Sequence, residues 1–374
     1  MAGTANTPPP GLYVEYNHDL NVSEAFLQNY APVQEALRDQ RLLAQFKYYD
    51  SKAKSHKQMF HLLGFGSLLL GLLTLAAAAI SVIAGRSLVQ GIGPLATVAE
   101  GGSAAAVFLI LWNRLRRHRV LWCQSVFCRE RLRQWHFQLF LDGRLISLLA
   151  TYPDQFRAEV DRRWGTLQQN LRDGYGLMMA FVRHGSRADD FFHQPSQYAD
   201  ASLAKHVLDA LWTIRFEHQL RYGQRKVEPE AEQAGMALEE RTNLSEAVAT
   251  FTLAGAVLVG ALGFLVALSQ GFPGLNLFSG SPETAETMSR RFAGSALLLA
   301  VLSAATRAYR AGYTLPDESE SYEEYCDRVR EYKAVFESAS TDQERFRELE
   351  RLEAEAALEL RRFIRMKMRA TFIF

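Results

Sequence analysis

The chain has 374 residues, 48% of them apolar, with 42 Lys and Arg against 41 Asp and Glu. That balance gives no global basicity that would argue for a nucleic-acid partner, and three cysteines give neither a disulfide framework nor a C-x-x-C metal pair. The length suggests two or three soluble domains, but the charge is concentrated in some segments and missing from others.

Residues 1–23 form an N-terminal tail whose first ten, Met1–Pro10, are small, polar and Pro-rich. They lack a basic region followed by an apolar one, so no cleavable signal peptide is expected and membrane entry falls to internal helices. In residues 24–57, Phe26, Tyr30, Val33, Leu37, Leu42, Phe46 and Tyr49 recur at helical spacing without a glycine. The pattern predicts one helix over Glu24–Lys57 that runs into the first membrane helix.

Residues 58–113 read as a membrane hairpin. Lys57 and Arg86 enclose 28 residues (58–85) without Asp, Glu, Lys or Arg, whereas about 20 apolar residues suffice to cross a hydrocarbon core of about 30 Å. Arg86–Gly93 is expected to turn, and Pro94–Trp112 to return, stopped by Arg114, Arg116, Arg117 and Arg119. Residues 114–246 follow as a helical region: Arg114–Leu141 is interrupted at Asp142-Gly143, Pro153, Gly165 and Gly174 are expected to break what comes next, and Ser202–Lys226 restores a helical pattern.

Residues 247–312 read as a second hairpin. Its first span is uncharged from Glu246 to Pro282, its apolar body ended by Phe272-Pro273-Gly274; its second has only 15 residues (292–306) between Arg291 and Arg307, with Tyr309 and Tyr313 as an interfacial belt. Residues 313–374 are expected to form long charged helices over Glu318–Arg369, with an apolar end, Phe372-Ile373-Phe374, that needs a partner or a membrane surface. No stretch alternates as a strand would. The fold class expected is all-α, an integral membrane protein with four transmembrane helices in two hairpins. The arginine cluster after Trp112 against a lone Arg86 places both termini in the cytoplasm by the positive-inside rule, in a multi-pass protein of the cell inner membrane. Arg290 and Arg291, at the outer end of the second hairpin, argue less well for that orientation.

The chain also resembles itself. Arg41, Gln45, Tyr48 and Lys52 align without gaps on Arg215, Gln219, Tyr222 and Lys226, each set ahead of a predicted hairpin. A duplicated unit of helix, two crossings and helix accounts for this, the copies being parallel.

Glu100 is the one acidic residue inside a predicted span, about 18 Å from the inner end at 1.5 Å per residue. A carboxylate at that depth is a pore-lining candidate, and a ring of them would favour cations; the alternative is an outer loop ended by Gly101-Gly102. Ala296, Ala300 and Ala304, with Ala256 and Gly260, present small-residue faces suited to helix packing. Arg114, Arg116, Arg117 and Arg119 are candidates for lipid headgroups or phosphate, besides setting topology. Neither phosphate-loop nor hydrolase nor metal-ligand spacing occurs in the sequence, so no cofactor, no metal and no enzyme activity is expected.

Arg41, Gln45, Tyr48, Tyr49, Asp50 and Lys52 ahead of a two-helix hairpin, with Trp122 and Arg129-Glu130-Arg131-Leu132 after it, resemble the SLATT or DUF4231 proteins, bacterial two-transmembrane modules. The resemblance covers about residues 35–140 well and 210–365 loosely. It implies a pore-forming effector of nucleotide-linked or antiviral conflict systems, here with two hairpins and no recognisable fused sensor domain. The function expected is a homo-oligomeric ion channel or pore, in contact with membrane lipids, with a nucleotide or protein trigger left open. The alternative is a membrane-anchored helical scaffold without conduction.

Overall fold

The computed structural model describes residues 20, 28–83, 93–185, 201–220, 238–271 and 282–372. Among these residues all regular structure is helical, with no strand. A 3-10 turn at Ala31–Val33 leads into α1 (Gln34–Leu37), followed by α2 (Gln40–Ile83), α3 (Gly93–Arg116), α4 (His118–Leu141), α5 (Gly143–Thr151), α6 (Pro153–Arg172) and α7 (Gly174–His184). Then come α8 (Ala201–Leu211), prolonged by a π-helical stretch at Trp212–Glu217, and α9 (Leu238–Gly271), α10 (Pro282–Tyr313), α11 (Leu315–Ser338) and α12 (Asp342–Arg369).

Short polar side chains set most of the boundaries. Asp39 accepts from the backbone N–H of Arg41 at 2.9 Å and of Leu42 at 3.2 Å, so α2 begins at Gln40. The single helix expected over Glu24–Lys57 is thus broken at Arg38-Asp39, because an aspartate offered to free N–H groups caps a helix better than it continues one; residues 24–27 lie outside the described residues. Asp142 accepts from Leu145 N at 3.0 Å and starts α5, as the Asp-Gly interruption implied. Pro153 occupies the first turn of α6, where a missing N–H costs nothing.

Gly165, expected as a break, lies inside the unbroken α6. A helical glycine costs about 1 kcal/mol against alanine, which the buried stripe Phe156, Val160, Trp164, Leu167 and Leu171 outweighs. Between α11 and α12 a capping box forms: Thr341 Oγ1 accepts from Glu344 N at 3.2 Å, and the Glu344 carboxylate accepts from Ser340 N and Thr341 N. The expected turn at Arg86–Gly93, up to its last residue, and the expected stop at Phe272-Pro273-Gly274 lie outside the described residues.

The chain divides into two compact units: residues 1–55, 120–237 and 318–368, and residues 56–119, 238–317 and 369–374. The first is built around Phe46, Phe127, Phe137, Phe140 and Phe216, all fully buried, with Leu42, Leu132, Ile146, Met178 and Leu211. The segment outside the family resemblance, from 141 onward, supplies α5–α7 to this unit. The basic run at the end of α12 is tied inward: Arg361 donates to the carbonyls of Val182 and Arg183, and Arg365 to that of Val182, closing the C-terminal turn of α7.

The second unit holds the apolar helices. Among the described residues three helical stretches, Gln40–Ile83, Glu240–Ser269 and Glu283–Ser338, are long and apolar enough to cross a membrane. α3 covers the second predicted span with 24 residues, of which the side chains of 93–100 lie outside the described ones. α9 and α10 pack antiparallel: Ser303 Oγ donates to the Ala249 carbonyl at 2.8 Å, and Gly260 and Gly263 face Ala296 and Phe292. α2 lies antiparallel to α10 through Leu68 against Ala305 and Ala308, and through Ile83 and Ala79 against Gly294. α3 meets α2 where Gly102 faces Thr74 and Gly66 faces Leu109.

Two residues carry the internal repeat further than the motif did. Arg117 and Thr314, both at φ 53°, are the non-glycine residues of positive φ among the described residues. Each follows an apolar helix directly and precedes a helix of 24 residues, α4 or α11. Counted from that break, position 13 opens Glu130-Arg131-Leu132-Arg133-Gln134-Trp135 in one copy and Asp327-Arg328-Val329-Arg330-Glu331-Tyr332 in the other (130 − 117 = 327 − 314). Position 11 meets the motif helix in both: Cys128 neighbours Tyr49, and Tyr325 donates to Gln219 Oε1 at 3.4 Å.

Candidate functional site: an aromatic socket in the apolar unit

The repeat motif is differently placed in its two copies. Arg41 is half exposed and pairs with Asp39 and Asp161, while Tyr48 is exposed under the Lys52 ammonium at 4.4 Å. Gln45 and Tyr49 are half-buried; burial pushes the Tyr49 phenol up to about 12, with Cys128 beside it. Arg215, the second copy's arginine, is buried, donates to Glu353 Oε1 at 2.5 Å and lies 4.3 Å over the Phe137 ring. Gln219 is buried; Tyr222 and Lys226 lie outside the described residues.

Asp50, next to the motif, holds the first copy's helix to α4. Burial raises its carboxyl, but hydrogen bonds from Lys54 and Arg129 outweigh that and leave it below the ordinary carboxylate range. In the same unit a groove of about 480 Å³ is lined by Arg131, Trp135, Gln138, Asp142, Arg162, Arg163 and Asn170, among others. Its size suits a small molecule. All three of its arginines are engaged: Arg131 by Gln134, Arg162 by Glu159, and Arg163 by Glu159 and Asp142. The Glu159 carboxyl is thereby held down to about 2, first by Arg162 and then by Arg163.

In the second unit, the backbone of Glu100 lies within α3 and not in a loop before a later helix start; its side chain lies outside the described ones. Arg114 and Arg117 are exposed, and Arg116 is exposed over the Trp112 ring at 4.5 Å, as a cation at a lipid interface would be. Arg119 instead turns inward and donates to the Ala370 carbonyl at 2.5 Å. Ala256 is buried, and Gly260 faces Ala296. Ala300 is half-buried, but Ala304 is exposed, and its neighbours Ser303 and Ala305 are the buried ones.

The most elaborate site in this unit was not found from the sequence. Phe372, 6% exposed, sits among Phe60 (centroids 5.4 Å apart), His61 (6.1 Å) and Tyr313 (5.3 Å), and His61 lies 4.4 Å from Tyr313 with the rings tilted by 43°. Tyr309 continues the cluster at 4.7 Å from Tyr313, and Arg241 donates to its hydroxyl at 2.7 Å. Gly64 on α2 and Gly312 on α10 face the Phe372 ring, and a Cβ at either would run into it. Phe60 is fixed in turn, its carbonyl accepting from Asn113 Nδ2 at 3.4 Å. The signal available beforehand was the apolar chain end together with two glycines beside interfacial aromatics.

No family model, no curated protein and no solved structure matches this chain.

Proposed function

We propose that this chain is a multi-pass protein of a bacterial inner membrane that assembles as a homo-oligomer and conducts ions or permeabilises the bilayer. On this reading α2, α3, α9 and α10 cross as two hairpins. The antiparallel contacts of α2 with α3 and of α9 with α10 support that arrangement, and the exposed Arg114, Arg116 and Arg117 support a cytoplasmic side at the end of α3. The first unit then lies in the cytoplasm and receives the trigger, a nucleotide or a protein. A SLATT-like effector role in antiviral defence follows from the resemblance.

The observation that carries the proposal is how little of the apolar helices one chain covers. Within the apolar windows of the three long helices only 28%, 17% and 28% is buried. Phe65, Leu69 and Leu73 on α2, Phe108 and Leu111 on α3, and Phe251, Val257, Leu258 and Phe264 on α9 all face outward. Helices that approach one another on glycine and alanine pack closely, and on this reading a conducting path needs several copies around an axis. Native mass in detergent, followed by ion flux from liposomes, tests this: an oligomer that conducts is expected, and a strict monomer overturns it.

One observation favours the scaffold reading. The hydroxyls of Ser67, Thr74, Ser81, Thr252 and Ser269 each donate to a carbonyl of their own helix. Side chains satisfied in this way need no water-filled path, as expected of helices that only anchor. Flux measurement separates the two, since an anchor stays silent with every candidate trigger.

A further inference from the structure

The tail beyond α12 belongs to the apolar unit, and its described residues, 370–372, are closely fitted there. Ala370 and Phe372 are buried while Thr371 between them is exposed, and the Ala370 carbonyl is held by Arg119. The Phe372 ring lies between α2 and α10, in contact with Phe60, His61 and Tyr313.

The two glycines identify what the ring does there. Gly64 and Gly312 both lie within helices and neither has the positive φ that calls for glycine, so backbone conformation does not explain them. Close helix packing does not explain them either. At Gly263, a Cβ would meet the partner helix, at 2.9 Å from Phe292 Cβ. At Gly64 and Gly312, the three nearest atoms to a Cβ are all of the Phe372 ring. Glycine is unfavourable inside a helix, and here two helices leave out a side chain for the same ring. Farther along, α2 and α10 are in direct contact through Leu68, Ala305 and Ala308. The ring therefore acts as a spacer at one end of an otherwise direct helix pair.

We propose that Phe372 is a latch. Seated, it fixes the spacing of α2 and α10 at their Gly64–Gly312 end and holds the assembly closed; withdrawn, it leaves a ring-sized gap into which the two helices re-pack, and the path opens. The tail is the direct continuation of α12, so a displacement of that helix is passed to the ring through the chain itself. As a gate the latch rests on the conducting function proposed above, whereas its seating does not.

Both parts are tested on the full chain in liposomes. Seating is read by maleimide labelling: Phe372→Cys is expected to react at least tenfold more slowly than Thr371→Cys, and equal rates overturn the latch. The native Cys123, Cys128 and Cys326 are buried and give a slow background. Gating is read without trigger in Phe372→Ala, which empties the socket, against Phe372→Leu, which keeps most of the bulk there. Flux is expected to be at least tenfold higher for Phe372→Ala than for wild type, with Phe372→Leu near wild type, and slow labelling of the buried Cys123, Cys128 and Cys326 in each variant serves as the folding control. A folded Phe372→Ala that conducts no more than wild type overturns the latch alone; a protein that conducts in no variant, nor as wild type with any trigger, overturns the conducting function and the gate with it.

Discussion

Arg215 and Glu353 meet at 2.5 Å with side chains 2% and 3% exposed, an ion pair shut away from water between the second copy of the repeat motif and α12. The Phe137 ring adds a cation–π contact to the guanidinium at 4.3 Å. Removing one partner leaves a buried charge without its counter-charge, which costs about 3–5 kcal/mol, whereas replacing both with apolar residues of similar volume is often neutral or stabilising. Glu353→Ala is therefore expected to lower the denaturation midpoint far more than Arg215→Met combined with Glu353→Leu. Far-UV ellipticity against denaturant in detergent measures both. Equal losses would mean that the pair is not the desolvated unit described.

Thr314 makes the turn between α10 and α11 at φ 53°, in the left-handed region that a β-branched side chain rarely enters. The conformation costs roughly 1–2 kcal/mol for a residue with a Cβ. Glycine adopts it freely but loses roughly 0.5–1 kcal/mol through a more flexible unfolded chain. Because Thr314 is also buried and its hydroxyl donates to the Tyr313 carbonyl at 2.6 Å, the relief of strain is offset. Thr314→Gly is therefore expected to change the stability of the protein by less than about 1 kcal/mol, read as little movement of the thermal midpoint. Thr314→Pro, whose ring fixes φ near −65°, is expected to destabilise it.

These two positions show where the sequence was readable and where it was not. The long apolar helices were legible because lipid or core burial writes them as charge-free runs, and the boundary at Asp142 was legible as a cap. The start of α2 at Gln40 was not, since Asp39 sits within an apolar period that otherwise continues. The turn at Arg117 carries no turn residue, so tertiary packing, not propensity, imposes it, whereas Thr314 is followed by Pro316 in the first turn of α11. A helix after each hairpin was expected, but the register of α4 on α11 was not legible, because Glu130–Trp135 and Asp327–Tyr332 share chemistry at each position more than they share identities. The Phe372 socket is legible only once α2, α10 and the chain end are brought together, because its six residues come from distant parts of the chain.

Acid is expected to act through depressed carboxylates. Glu159 falls from 4.5 to about 2 under Arg162 and Arg163. A group lowered on folding contributes stability above its unfolded pKa and loses it as pH falls through the folded one, so its contribution disappears between about pH 4.5 and pH 2. Asp50 acts in the same direction through Lys54 and Arg129. Glu359 has the opposite sign: burial raises it, despite a hydrogen bond from Ser321, so its contribution is present at low pH and declines as pH rises through the raised value. In denaturant titrations at stepped pH, Glu159→Gln is expected to flatten the acid limb and Glu359→Gln to gain relative stability as pH rises.

The α9–α10 contact allows the energetics of helix packing to be tested in the apolar unit. Ser303 Oγ, buried, reaches across to the Ala249 carbonyl at 2.8 Å. Hydrogen bonds between helices in a membrane average about 0.6 kcal/mol with a maximum near 1.7, because chains separated in lipid find other partners. Ser303→Ala should therefore cost about 0.6 kcal/mol. Gly263 lies farther along the same contact, where any Cβ would press on Phe292 at 2.9 Å. Gly263→Val adds a branched side chain there and must part the helices, a cost expected in the range of about 1–3 kcal/mol for overpacking. Unfolding in mixed detergent micelles should rank Gly263→Val well below Ser303→Ala. The reverse order would mean that the hydrogen bond, and not the close approach of small residues, holds α9 against α10.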